Sequence, residues 1–314
     1  MRGSFRSRDD GPEFIQMFLR QGESMPCGRR GRLPLHFLMD LSPTECRHEK
    51  IWNVLYRAYP GALMAQDFQG NTPLHLAKSV VDAEKCIDAN PNICKVANHK
   101  GDLPLHVLVR MQGKNSKLIR AALEAFPEAA RHQNKQGELP LHTFLQEMFS
   151  FPKRVSKGKM LVFDLLARAF PAGFSHADQN GYFSIHHCME TFWPWPGGGY
   201  AAALEELLEK TIAAAPNCAT AITKGGNTIL HLAREPTILE WMIQRYPQLC
   251  RVRNKDGNLP LHVALENPRI CVESIRKLVD SFPGSVMTAN LKKQLPIHKA
   301  ARYPYLENIQ LLID

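Results

Sequence analysis

Apolar residues in this chain fall into helical registers that are anchored on prolines. Counting back from Pro60, Pro91, Pro127, Pro171, Pro216, Pro247 and Pro283, apolar side chains stand eight positions earlier: Trp52, Ala83, Ile119, Phe163, Leu208, Leu239 and Ile275. They stand again four positions earlier, at Tyr56, Ile87, Leu123, Ala167, Ile212, Ile243 and Val279. One position earlier stand the aromatic rings of Tyr59, Phe126, Phe170, Tyr246 and Phe282, with Asn90 and Ala215 as exceptions. Steps of three and four gather residues on one helical face. Proline ends a helix because it lacks an N–H and pushes the preceding residue toward extended backbone. The pattern predicts seven helices, each stopped by its proline and buried through these three positions.

A second landmark follows each proline. A histidine stands 15 residues after it in all seven cases, at His75, His106, His142, His186, His231, His262 and His298, and His36 precedes the set. Spacing between successive histidines runs from 31 to 45, so all length variation falls between a histidine and the next proline. Glycine stands five before the histidine at Gly31, Gly70, Gly101, Gly137, Gly181, Gly226 and Gly257, with Lys293 the departure. Asx stands eight before it at Asp67, Asn98, Asn134, Asp178, Asn254 and Asn290. Asx followed by Gly is turn chemistry, since both tolerate positive φ. Pro34, Pro73, Pro104, Pro140, Pro260 and Pro296 stand two before the histidine, where proline's fixed φ suits the first position of a helix. The unit reads as turn, helix, loop, helix.

Eight phased copies of this phrase resemble the ankyrin-repeat family, whose motif runs D-x-x-G-x-T-P-L-H-x-A. The resemblance covers about residues 25–314. It implies an all-α, ankyrin-type helical solenoid of about eight helix-turn-helix repeats with short projecting hairpin turns. The family's Thr survives as Thr72 and Thr228, whereas Leu33, Leu103, Leu139, Leu259, Leu295 and Phe183 replace it. Losing that hydroxyl as an N-cap costs about 1 kcal/mol per repeat, and the leucines recover part of it if they pack on the next unit.

Around the repeats, residues 1–10 read as a disordered basic N-terminus and 11–24, with Phe14, Ile15, Met17, Phe18 and Leu19, as a half-repeat helix. Residues 304–314 read as a second helix without its aromatic-proline stop. The two longest spacings hold inserts at 149–159 and 192–199. No apolar run approaches the roughly 18 residues of a membrane span. The eight cysteines contain no CxxC pair and read as reduced thiols of an intracellular protein, cytoplasmic or nuclear.

Chemistry-bearing patterns are few. No phosphate loop, nucleophile elbow or HExxH is present, so the sequence assigns no catalytic residue, no cofactor and no metal. A histidine per stacked unit makes a row rather than the converging tetrahedron that zinc needs. Each ring is therefore expected to bond backbone and tie one unit to the next. Net charge is +9, which favours acidic partners. Six or seven before the histidines lie Arg29, Arg30, Lys100, Lys135, Lys224, Lys255 and Lys292, which a stack aligns as a basic edge, either a docking surface or a merely solvated one. The 149–159 insert carries Lys153, Arg154, Lys157 and Lys159, and the 192–199 insert carries Phe192, Trp193 and Trp195. These form a recognition patch or cover the helix ends; both readings stand. The sequence points to a non-catalytic protein-interaction scaffold or adaptor whose partner is another protein with an acidic surface. The second reading is a binder of nucleic acid or acidic lipid headgroups.

Overall fold

The computed structural model describes residues 30–41, 47–111, 116–148, 157–190, 200–268, 270–303 and 306–313. Residues 1–10, the 11–24 half-repeat, positions 149–156 of the first insert and the whole 192–199 insert lie outside them. Every regular element among the described residues is helical, and the one extended pairing is an isolated bridge between Ala177 and Phe183. None of these helices is long and apolar enough to cross a membrane. The chain divides into two compact units, Met1–Ala129 and Ala130–Asp314.

The proline-to-histidine segment has one shape each time. The proline stops the preceding helix and opens a 3₁₀ turn, at Pro60–Leu63, Pro91–Lys95, Pro127–Arg131, Pro171–Ser175, Pro216–Thr220, Pro247–Arg251 and Pro283–Met287. Proline suits that role because its fixed φ starts the turn while the missing N–H is one the turn does not need. An Asx turn follows. Asn254, for example, accepts the Asp256 and Asn258 N–H groups on Oδ1 at 3.0 Å each, while its own N–H donates to the Asn258 carbonyl at 2.9 Å. A short helix then begins at the LPLH phrase, as at Pro104–Leu108, Pro260–Ala264 and Pro296–Ala300, and in one copy it tightens to a 3₁₀ turn at Pro73–Leu76.

Like packs on like within each unit. In the first, the turn Pro73–Leu76 lies between helices Pro34–Asp40 and Pro104–Leu108, and helix Val80–Ala89 packs on Ser116–Ala125. In the second, the short helices Pro140–Met148, Ser184–Glu190, Ile229–Leu232, Pro260–Ala264 and Pro296–Ala300 pack in succession. Beside them run Tyr200–Ala214, Pro236–Arg245, Val272–Ser281 and Leu306–Ile313, again each on the next.

Four details correct the sequence reading. The helices are buried at eight and five before the proline. Leu55, Cys86, Ala122, Leu166, Thr211, Met242 and Leu278 hold the latter position and all are buried, whereas four before it only Ile87 and Ile243 are. The aromatic one before the proline is at the surface edge, and a cation of the preceding unit covers it: Lys95 lies 5.9 Å from the Phe126 ring centre, Arg131 5.8 Å from Phe170 and Arg251 5.2 Å from Phe282. The motif Thr is not an N-cap to backbone, because its hydroxyl faces the histidine Nδ1, at 2.9 Å in both Thr72–His75 and Thr228–His231. Leu103, Leu139 and Leu259 in its place are buried. Burying a leucine contributes about 2 kcal/mol, more than the lost hydroxyl removes. The first insert also ends sooner than expected, since Lys157 and Lys159 lie in the first turn of helix Lys157–Ala169.

Candidate functional site

The repeat histidines are joints. In all eight copies Nδ1 accepts the backbone N–H of the residue three before it, at 3.0 to 3.2 Å. This is half of a capping box with imidazole in the role of the usual Glu or Gln. An N–H pointing at Nδ1 fixes the tautomer: the proton sits on Nε2 and is directed at the next copy. His36 Nε2 reaches the carbonyls of Asn71 at 3.1 Å and Ala65 at 3.2 Å, and His75 reaches Asp102 at 3.0 Å. In the second unit His142 reaches His176 at 3.2 Å, His186 reaches Ala221 at 3.2 Å, His231 reaches Asn258 at 3.0 Å and His262 reaches Gln294 at 3.1 Å. His298, in the last copy, is exposed and keeps only its Nδ1 bond. Burial pushes the imidazole pKa down to about 3 at His142 and about 4 at His186 and His231, so these rings are neutral. In the six rings bonded through both nitrogens no lone pair is left for a metal, and among the described residues no group of three His, Cys, Asp or Glu side chains is placed to hold one.

Beneath this row lies a second one. In three copies the residue four before the histidine meets the Asx of the next turn: Asn98 Nδ2 donates to Asn71 at 3.0 Å, Asn254 to Asn227 at 3.0 Å and Asn290 to Asn258 at 2.8 Å. Two copies carry Asp instead of Asn, and each has a buried basic partner. Arg32 Nε lies 3.3 Å from Asp67, while its Nη1 lies 2.7 Å from Asp40. His187 Nε2 lies 3.4 Å from Asp178, and Gln146 reaches its Nδ1 at 3.2 Å. Burial alone raises a carboxyl pKa, yet both acids are held below their ordinary value. The Asn71 and Gln69 N–H groups and Arg32 do this for Asp67; His187 and the Tyr182 and Asn180 N–H groups do it for Asp178. Neither basic partner carries a local sequence signal, and neither was anticipated.

The turn tips are joined chiefly through backbone, with one side-chain addition where Gln179 Nε2 donates to the Lys135 carbonyl at 2.6 Å. The Phe68 N–H donates to the Arg30 carbonyl at 2.8 Å and His99 to Gln69 at 2.9 Å. In the second unit Gln179 donates to Gln136, Lys224 to Asn180 and Lys255 to Gly225, each at 2.9 Å, and Leu291 to Asp256 at 3.0 Å. Glycine is required where one turn approaches the next. Gly226 has φ 79°, and a Cβ there would lie 2.7 Å from the Lys255 nitrogen. Lys293, in the last copy, holds the same left-handed conformation at φ 57°.

Side chains at these tips are left to solvent. Arg30 and Lys100 in the first unit are exposed, as are Lys135, Lys224, Lys255, Lys292 and Lys293 in the second. None of these seven makes an ion pair among the described residues, whereas Lys78, Lys210, Lys277 and Lys299 all meet carboxylates. Asp256 is the single acid at the same tip positions, against a chain-wide 39 basic to 30 acidic residues. Cations outnumber acids more steeply at the tips than along the chain. Lys157 is exposed on its helix, and Lys159 donates to the Met148 carbonyl at 2.7 Å, closing the end of the first insert. Arg29, Lys153, Arg154, Phe192, Trp193 and Trp195 lie outside the described residues. No protein-family model matches this chain, and no curated protein matches it.

Proposed function

We propose that this chain is a non-catalytic protein-interaction scaffold or adaptor, an ankyrin-type helical solenoid whose turn tips meet an acidic surface of another protein. The observation that carries the reading is the row of exposed, unpaired cations on turns whose positions are set by backbone bonds. A scaffold for recognition needs side chains that the fold does not use, and the tips supply them. Buried histidines, the Asx row and the helix cores hold the units together without drawing on those side chains. The chemistry of the described residues fits this role: His142, His186 and His231 are neutral and engaged at both nitrogens, and the buried carboxylates of Asp67 and Asp178 face basic partners. Nucleic acid or acidic lipid is the competing class for the same cations.

The test is a photo-crosslinking side chain placed at Asn180, an exposed tip residue, with Arg168 on the exposed side of helix Lys157–Ala169 as control. The expected result is protein adducts from Asn180 alone, retained at high salt once crosslinked and suppressed by excess unmodified chain. Equal yields from both positions, or adducts that a nuclease removes, would overturn the reading.

A further inference from the structure

We infer that an extended acidic polypeptide carrying apolar side chains between its carboxylates docks across the last three turn tips of the second unit, at Lys224, Lys255 and the Lys292–Lys293 pair. The inference rests on the scaffold reading and names the partner's chemistry.

Three observations place it there. The turns 223–226, 254–257 and 290–293 are consecutive, because Lys255 donates to Gly225 and Leu291 to Asp256. Earlier in the same unit the neutral Gln179–Asn180 turn separates Lys135 from Lys224, so the last three turns are the unbroken run of cationic ones. That turn holds the one copy able to offer two lysines. In the other copies the position of Lys293 must be Gly, as at Gly257, where a Cβ would stand 2.7 Å from the Leu291 nitrogen of the following turn. Arg253 adds positive charge at the same stem while donating to the Ala289 carbonyl at 2.9 Å. The opposing charge at these three turns is Asp256 alone.

Apolar exposure and residue type decide between classes of partner. Leu291, on the last turn, is 73% exposed, and Ile222, directly before the first of the three, is 52% exposed. A phosphate backbone makes no use of them. Single-stranded nucleic acid is held by aromatic platforms and Arg, and duplex phosphates favour the bidentate guanidinium. The three tips present lysines, a leucine and an isoleucine, and no exposed aromatic ring. A polypeptide alternating carboxylates with aliphatic side chains matches both features. Polyanion binding through charge alone would ignore the second.

The experiment measures fluorescence anisotropy of the full chain with three probes: an alternating Glu-Leu peptide, an oligo-Glu peptide and a single-stranded DNA of equal charge. Two variants accompany it. One combines Lys224→Ser, Lys255→Ser, Lys292→Ser and Lys293→Gly; the other combines Ile222→Ser and Leu291→Ser. Both change exposed side chains, and a cooperative thermal transition no lower than that of the unaltered chain confirms that each is folded. Binding is expected to be tightest for the Glu-Leu peptide and to weaken about tenfold in either variant. DNA bound more tightly than the peptide, or peptide binding untouched by the Ile222/Leu291 change, overturns the inference in favour of a charge-only surface. No peptide binding overturns it outright. If tip crosslinks to protein persist in that case, the scaffold reading stands and only the partner's chemistry is wrong.

Discussion

His231 Nε2–H meets the carbonyl oxygen of Asn258 at 3.0 Å, 27 residues further along the chain. With Nδ1 held by the Thr228 N–H at 3.2 Å and the Thr228 hydroxyl at 2.9 Å, the ring is fixed in one orientation and one tautomer. His231→Ala leaves a buried N–H and a buried carbonyl without their partner and opens a void. Each orphaned group costs about 1–3 kcal/mol, so the expected loss is about 3 kcal/mol. His298→Ala, at an exposed ring with one such bond, is expected to cost less than about 1 kcal/mol. Urea unfolding midpoints for the two variants test the contrast; equal losses would show that the joint is not the source.

The same joints set an acid limit. An imidazole with a folded pKa below its ordinary value of 6.5 binds its proton more readily in the unfolded chain. Its contribution is therefore complete above about pH 6.5 and shrinks as pH falls toward the folded value, about 4 for His186 and His231 and about 3 for His142. At pH 5 each of the three rings is expected to have given up about 1–2 kcal/mol. The paired carboxylates of Asp67 and Asp178 titrate below that window, their pKa values being lowered. A urea midpoint unchanged between pH 7.5 and 5 would refute the assignment.

Lys293 and Gly226 hold the same left-handed backbone and predict opposite outcomes. Left-handed backbone costs an L residue about 1 kcal/mol, so Lys293→Gly is expected to stabilise slightly, by up to about 1 kcal/mol after the added chain entropy is counted. Gly226→Ala adds that strain and a 2.7 Å approach to the Lys255 nitrogen; a loss of at least about 2 kcal/mol is expected. Thermal melting of both variants measures it.

Arg251 over Phe282, at 5.2 Å, should couple measurably because both side chains lie at the surface edge between neighbouring copies. A double-mutant cycle with Arg251→Ala and Phe282→Ala is expected to give about 0.5–1 kcal/mol. A coupling energy of zero would make the contact incidental.

Thiol reactivity separates the cysteines. Burial pushes Cys86 up to about 12 and Cys94, Cys218 and Cys250 up to about 11, and raises Cys188 as well. Among the described cysteines Cys271 alone is exposed. Alkylation followed by peptide mapping is expected to mark Cys271 first and the buried five only on unfolding.

Much of this arrangement was legible because turn chemistry is local. Gly and Asx at fixed offsets, and proline at two offsets, each demand one backbone conformation, so the constant 15-residue spacing translated directly into one repeated shape. The buried helical face was read one residue astray. Thr211, Cys86 and Ala122 sit at the innermost position and carry little apolar signal, while ring-bearing Tyr59 and Phe126 at the edge carry a strong one. Arg32 and His187 were missed for a different reason: Arg32 answers a carboxylate 35 residues away in the next copy, and His187 answers one nine residues earlier in its own copy, where no fixed offset of the repeat marks it. Lys293 registered as a broken glycine rule and not as a tip cation, because its offset is that of the turn glycine in the other copies.

Neighbouring turns are bonded through main-chain amides, and those amides are the same whatever side chain is attached. Arg30, Phe68, Lys224 and Leu291 can thus occupy comparable places without altering how the copies join. Selection can rewrite the outward-facing alphabet of this protein, one letter at a time, at little cost to the frame that displays it.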